Sequence, residues 1–133
     1  MSLENVEIAR RFNEEFNRSG WRALWSAADP DIEFCEPPEQ PGASVFKGLE
    51  AAREGVTRSW DENWIEQHSD AERIVDLGDD RVLLLNVMHL RGREGVMVAH
   101  AAGNIVTFRD GKILRFQAYW SQQAALKAAG LEE

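Results

Sequence analysis

The second half of the chain is cut into extended runs by tight turn signals, and this punctuation constrains the fold more than any other feature. Segments 65–77, 81–91, 96–109 and 112–120 alternate or are β-rich, and they are separated by Gly78-Asp79-Asp80, Gly92-Arg93-Glu94-Gly95 and Asp110-Gly111. An Asp-Gly pair between such runs is a strong hairpin signal, because both turn residues need positive φ. Consecutive strands joined by turns this short pair antiparallel, so 65–120 reads as a four-stranded meander.

The first half follows the helical period. Val6, Ala9, Phe12 and Phe16 recur at helix spacing, with Ser2 as cap and Glu4 in the first turn. Helices are expected over 3–17, 20–28 and 48–63, the second capped by Ser19. Asp29-Pro30-Asp31 reads as a turn, Ile32 to Glu36 as a short strand stopped by Pro37-Pro38, and Pro37 to Lys47 as a loop. Ser121 caps a last helix over 122–129, with Gly130 after it. The sum is an α+β fold: three N-terminal helices cover one face of a curved antiparallel sheet and leave a conical space, and a short C-terminal helix follows. With 133 residues the chain reads as one domain over 1–133.

Charge and cysteine content exclude several functions. Fifteen basic against 23 acidic residues give a net charge of −8, which argues against nucleic acid or an anionic membrane as partner. No run of 18 apolar residues and no basic stretch followed by an apolar one occurs, so neither a membrane span nor a secretory signal is expected, and the single Cys35 fits a reducing cytoplasm. The sequon Asn17-Arg18-Ser19 therefore has no evident use. His68, His89 and His100 lack metal-ligand spacing and no Gly-rich phosphate loop follows a strand, so neither metal nor cofactor is expected. The expected ligand is small and apolar or weakly polar.

The strings "RRFNEEFNRSGWRALWSAADPDIEF", "VFKGLEAAREGV" and "VTFRDGKILRFQAYWS" resemble the nuclear transport factor 2-like superfamily, and within it the SnoaL-like, polyketide cyclase-like proteins. The last strand is also similar to bacterial ketosteroid isomerases. The resemblance implies a helix-covered cone with an apolar pocket. It speaks for the fold more than for chemistry, since this fold carries isomerases, cyclases, hydrolases and non-catalytic binders.

Strand parity then nominates pocket residues. If Trp120 faces the cone, Ala118, Phe116 and Leu114 face it too, and Ile113, Arg115, Gln117 and Tyr119 lie outside. On the preceding strand Phe108, Val106, Asn104, Ala102 and His100 share one face. Asn104 stands where the isomerases place an acid that stabilises an oxyanion, and its amide can donate such a bond. His100 is a candidate acid or base. Glu36, before Pro37 at the end of the first strand, resembles the isomerases' general base. Phe12 occupies the position of their tyrosine and has no hydroxyl, so steroid isomerisation is not expected. Trp60 and Trp64, one turn apart on the third helix, are candidates for ligand contact. For each of these residues a plain core or structural role is the competing reading.

Two functions remain open. One is a cofactor-independent isomerase, cyclase or lyase acting on a small apolar carbonyl compound, with Glu36 or His100 moving the proton. The other is a binding module with the same cone. The outer sheet face, with Ile113, Arg115, Gln117 and Tyr119, suggests a homodimer.

Overall fold

The computed structural model describes residues 2–131. Helix α1 spans Ser2–Ser19, α2 Arg22–Ala27, and β1 Ala28–Cys35. A short β2 (Val45–Lys47) precedes α3 (Leu49–Val56), which runs into a π-helical turn, Thr57–Asp61, so the helix expected over 48–63 ends early and Trp64 begins a strand instead of sharing a helix with Trp60. Strands β3 (Trp64–Gly78), β4 (Arg81–Gly92), β5 (Met97–Arg109) and β6 (Lys112–Tyr119) follow, then α4 (Gln122–Ala128). The strands form one six-stranded curved sheet in the order β2-β1-β6-β5-β4-β3. No helix among the described residues is long and apolar enough to cross a membrane.

The α+β cone stands as expected, with local corrections. Strand β1 pairs with β6 in parallel, Phe34 opposite Phe116, so the sheet is mixed rather than wholly antiparallel. The two strands are far apart in sequence, so no tight turn between them imposes an antiparallel pair. Asp29-Pro30-Asp31 is strand rather than turn. Arg109 holds Asp29 through two bonds, at 2.7 and 3.1 Å, and Asp31 at 2.9 Å, which ties the start of β1 to the end of β5. That guanidinium keeps the Asp29 carboxyl below its ordinary range. Asp29 accordingly adds stability at neutral pH that is lost as the pH falls through its lowered value. The loop 37–47 contains the unexpected β2, paired with β1. Ser19 caps nothing: its hydroxyl donates to Glu15 O, and α2 begins at Arg22 with no side-chain cap. The capping expected of the Ser2 side chain lies outside the described residues. Ser121 does cap α4, accepting from the Ala124 N–H at 3.0 Å.

The parity of β6 holds only for part of its length. Thr107 pairs with Arg115 but Phe108 pairs with Ile113, so Leu114 is an extra, bulged residue. Beyond the bulge the faces exchange. Ile113 is fully buried in the main core, and Leu114 leaves the face expected for it.

The main core lies on the concave face, where Ala9, Phe12 and Phe16 of α1 meet Val106, Phe108 and Phe116. A second cluster lies on the other face, where Ala125 of α4 packs on Leu83, Leu85 and Ile105. Helices therefore cover both faces, not one. The approach of α4 depends on Gly103: a Cβ there would stand 2.4 Å from the Cβ of Ala125 and 3.1 Å from Leu85 Cδ2. Gly103→Ala should force α4 away and lower unfolding free energy by about 1–3 kcal/mol, the usual scale of overpacking. Urea denaturation measures this, and unchanged stability would show that α4 docks without the glycine.

Candidate functional site

Between the helices and the concave face lies a cavity of about 410 Å³. Its lining is mostly aromatic and aliphatic, as expected for a small-molecule site. All nine nominated residues, Glu36, Asn104, His100, Phe12, Trp60, Trp64, Phe116, Ala118 and Trp120, lie along it. Trp120 stands at the rim with 41% of its surface exposed, whereas Phe116 and Phe12 are buried. Tyr119, expected outside, lines the cavity and also packs toward the α4 cluster, because it is the last residue of its strand. Burial pushes its hydroxyl above the ordinary tyrosine range.

Glu36 follows the last paired residue of β1, and Ala118 and Asn104 lie on the two strands beyond it. Phe34 and Phe116 pair across β1 and β6, their rings stacked at 5.5 Å and 4°. The pairing ends at Cys35 and Gln117, and the residues that follow them, Glu36 and Ala118, both line the cavity. Ala118 pairs in turn with Asn104 of β5. The carboxylate and the amide thus line the same cavity, with the methyl group of Ala118 beside the amide. A small residue there leaves room for a ligand.

Glu36 is buried and both of its oxygens are already engaged. The Ser44 N–H donates to Oε1 at 2.9 Å, and the Ser59 hydroxyl to Oε2 at 2.9 Å. The Glu36 N–H donates in turn to Ser44 O at 3.0 Å. The side chain therefore fastens the loop 37–44 to the strand end as well as facing the cavity. Each carboxylate oxygen retains a lone pair, so Glu36 can still accept from a ligand.

Asn104 ends a buried polar chain that runs through Asn86 and Ser69 to Asn13 of α1. Asn13, Ser69 and Asn86 escaped the sequence reading, although Asn86 shares parity with the inward Met88 and Leu90 and was detectable on that ground. Ser59, Gln40 and Trp21 also line the cavity without having been nominated. His100 is the site's open question: among the described residues its Nε2 is buried with no hydrogen-bond partner.

The other two histidines stand apart on the outer sheet face. His68 and His89 pair across β3 and β4, each with Nε2 2.8 Å from a different oxygen of Asp70. The hydrogen bonds from His68 and then His89 hold the Asp70 carboxyl below its ordinary range. Among the described residues no group of three such side chains is arranged to hold a metal ion.

Replacing Glu36 with Ala should free the loop 37–44. Losing a hydrogen bond to a charged group corresponds to about tenfold or more in local opening. Amide hydrogen exchange at Ser44 should rise by that factor, and an unchanged rate would show that the loop does not depend on the carboxylate.

The chain is similar in fold to known proteins. Three solved structures superpose over nearly its full length. An NTF2-like protein of unknown function from Burkholderia pseudomallei has a TM-score of 0.76 at 14% identity, covering 93% of this chain and 95% of that one. TerC, co-crystallised with polyporic acid, gives 0.75 at 17%, covering 96% and 98%. A Jannaschia protein provisionally assigned as a SnoaL-like polyketide cyclase gives 0.73 at 18%, covering 99% and 94%. At such identities these likenesses establish the fold alone. No curated protein sequence matches significantly. The SnoaL-like domain profile matches residues 9–116, most of the chain, and the protein therefore belongs to the SnoaL-like family of the NTF2-like superfamily.

Proposed function

We propose that the chain acts as one SnoaL-like unit over 1–133 that binds a small, mostly apolar carbonyl compound in its cone and moves a proton on it without a cofactor. The observation that supports this reading is that Glu36 and Asn104 line one aromatic cavity, with Ala118 beside Asn104. Glu36 removes the proton, Asn104 donates to the developing enolate oxygen, and Phe116, Trp60, Trp64 and Trp120 hold the ring or chain. His100 is the alternative base. Phe12 supplies no hydroxyl, so the oxyanion has fewer donors than in the steroid isomerases. Co-crystallisation of TerC with polyporic acid supports a ring compound as the class of ligand. The unpaired Cys35 supports a cytoplasmic location.

The test uses 2-tetralone, whose acidic C–H exchanges with solvent. Deuterium uptake followed by NMR should be accelerated by the protein. Glu36→Gln should lower it by about a hundredfold, the scale of losing a general base. Asn104→Ala should cost about as much, as losing an oxyanion donor does. Undiminished exchange in both variants overturns the assignment.

A second reading, a binding module without chemistry, is favoured by the two hydrogen bonds that already engage the Glu36 carboxylate. Tight binding of 2-tetralone with no accelerated exchange would select it.

We also propose a homodimer on the part of the outer sheet face that α4 leaves open, where Ala99 and Ala101 are exposed beside the half-buried Val87. Small apolar residues without Lys or Glu suit a sheet-to-sheet contact. Light scattering should give twice the 15.1 kDa of the chain. Ala101→Asp should return the mass to the monomer's with helical content unchanged, and a monomeric wild type rejects the contact.

A further inference from the structure

The direction of the polar chain behind Asn104 is set by backbone groups, and it decides what Asn104 shows to the cavity. The carbonyl of Ser69 can only accept, and it accepts from Asn13 Nδ2 at 3.0 Å and from Asn17 Nδ2 at 2.9 Å. Asn13 is thereby turned with Oδ1 toward the Ser69 hydroxyl, which must donate to it, at 2.6 Å. Its one hydrogen spent, Ser69 Oγ accepts from Asn86 Nδ2 at 2.8 Å. Asn86 is left presenting Oδ1, and Asn104 answers with Nδ2 at 3.3 Å. Asn104 therefore commits one N–H to the protein. Its Oδ1 and one further N–H remain, and Oδ1 has no donor among the described residues.

Glu36 adds acceptors to the same cavity. Its own donors, the Ser44 N–H and the Ser59 hydroxyl, are neutral, and no Lys or Arg lines the cavity. A ligand bearing a carboxylate or phosphate would meet the Glu36 carboxylate and no Lys or Arg to balance it. A ligand bearing a hydroxyl hydrogen would meet acceptors in Glu36 and Asn104.

We infer that Asn13, Ser69 and Asn86 are positioning residues that commit one Asn104 N–H to the protein and leave its Oδ1, beside the second N–H, to the cavity. The site thereby selects a neutral ring compound with a phenolic or enolic hydroxyl over the same compound without that hydrogen. This rests on the cone being a ligand site, and it narrows which ligand the cone takes. Sites built to pair a ligand hydroxyl reject the analogue lacking it, because the buried acceptor is left unpaired.

Calorimetry of the full chain at neutral pH with 2-naphthol and 2-methoxynaphthalene tests it. Wild type should bind the naphthol at least about tenfold more tightly. Ser69→Ala, which removes the hydroxyl that sets the direction, should bring the two affinities within about threefold, whereas Ser69→Thr should keep the preference. A merely structural role of Ser69 would weaken both probes alike and leave the ratio unmoved. If Ser69→Ala does not fold by its thermal transition, Asn86→Met breaks the chain at its middle and carries the same expectation. Equal binding of the two probes by wild type overturns the inference while the pocket stands, as does an unchanged ratio in a folded variant. Failure of every naphthyl compound to bind overturns the pocket and this inference together.

Discussion

The grip of α1 on Ser69 is the interaction on which the rest of the molecule depends. Asn13 and Asn17, one turn apart, both donate to the Ser69 carbonyl, and the Ser69 N–H returns a bond to Asn17 Oδ1 at 2.7 Å. An apolar stripe alone would let α1 slide or rotate over the sheet, since hydrophobic contact is non-directional. Buried amides tolerate no such freedom, because each group moved out of register is left unpaired at about 1–3 kcal/mol. The clamp fixes how far the helix stands above β3, and so how wide the cone is at the level of His100 and Asn104.

Closure of the cone on its far side uses shape rather than polarity. The parallel β1–β6 pair brings Phe34 against Phe116, and Trp21 meets both rings edge-on at 5.6 and 5.9 Å. Edge-to-face packing of this kind adds about 0.5–1.5 kcal/mol per pair beyond area burial. The bulge at Leu114 then sharpens the twist of β6 and turns Ile113 into the closed end. Deep aromatic packing at one end and Trp64 and Trp120 at the other leave the polar residues confined to a middle band.

Within that band Glu36 holds two roles that pull against each other. It fastens the loop 37–44 through Ser44 and faces the cavity beside Ser59. A ligand that takes a lone pair from the carboxylate therefore acts on the loop at the same time. Under either proposed reading, catalytic or purely binding, the carboxylate that would meet the ligand is the one that holds the loop.

Much of this was legible in local pattern. Turn dipeptides located the four long strands, helical spacing located α1 and α3, and strand parity put His100, Asn104, Phe116, Ala118 and Trp120 along one cavity. These follow from chain chemistry within a few residues, where periods of 2 and 3.6 operate. What stayed hidden depends on partners distant in sequence. The parallel pairing of β1 with β6, the bulge that exchanges Ile113 and Leu114, and the docking of α4 over Gly103 are each set by another element's position. The identity of the polar chain belongs to the same class. Asn13, Ser69, Asn86 and Asn104 are unremarkable in their own segments, and they become one directed array only when a helix and three strands meet.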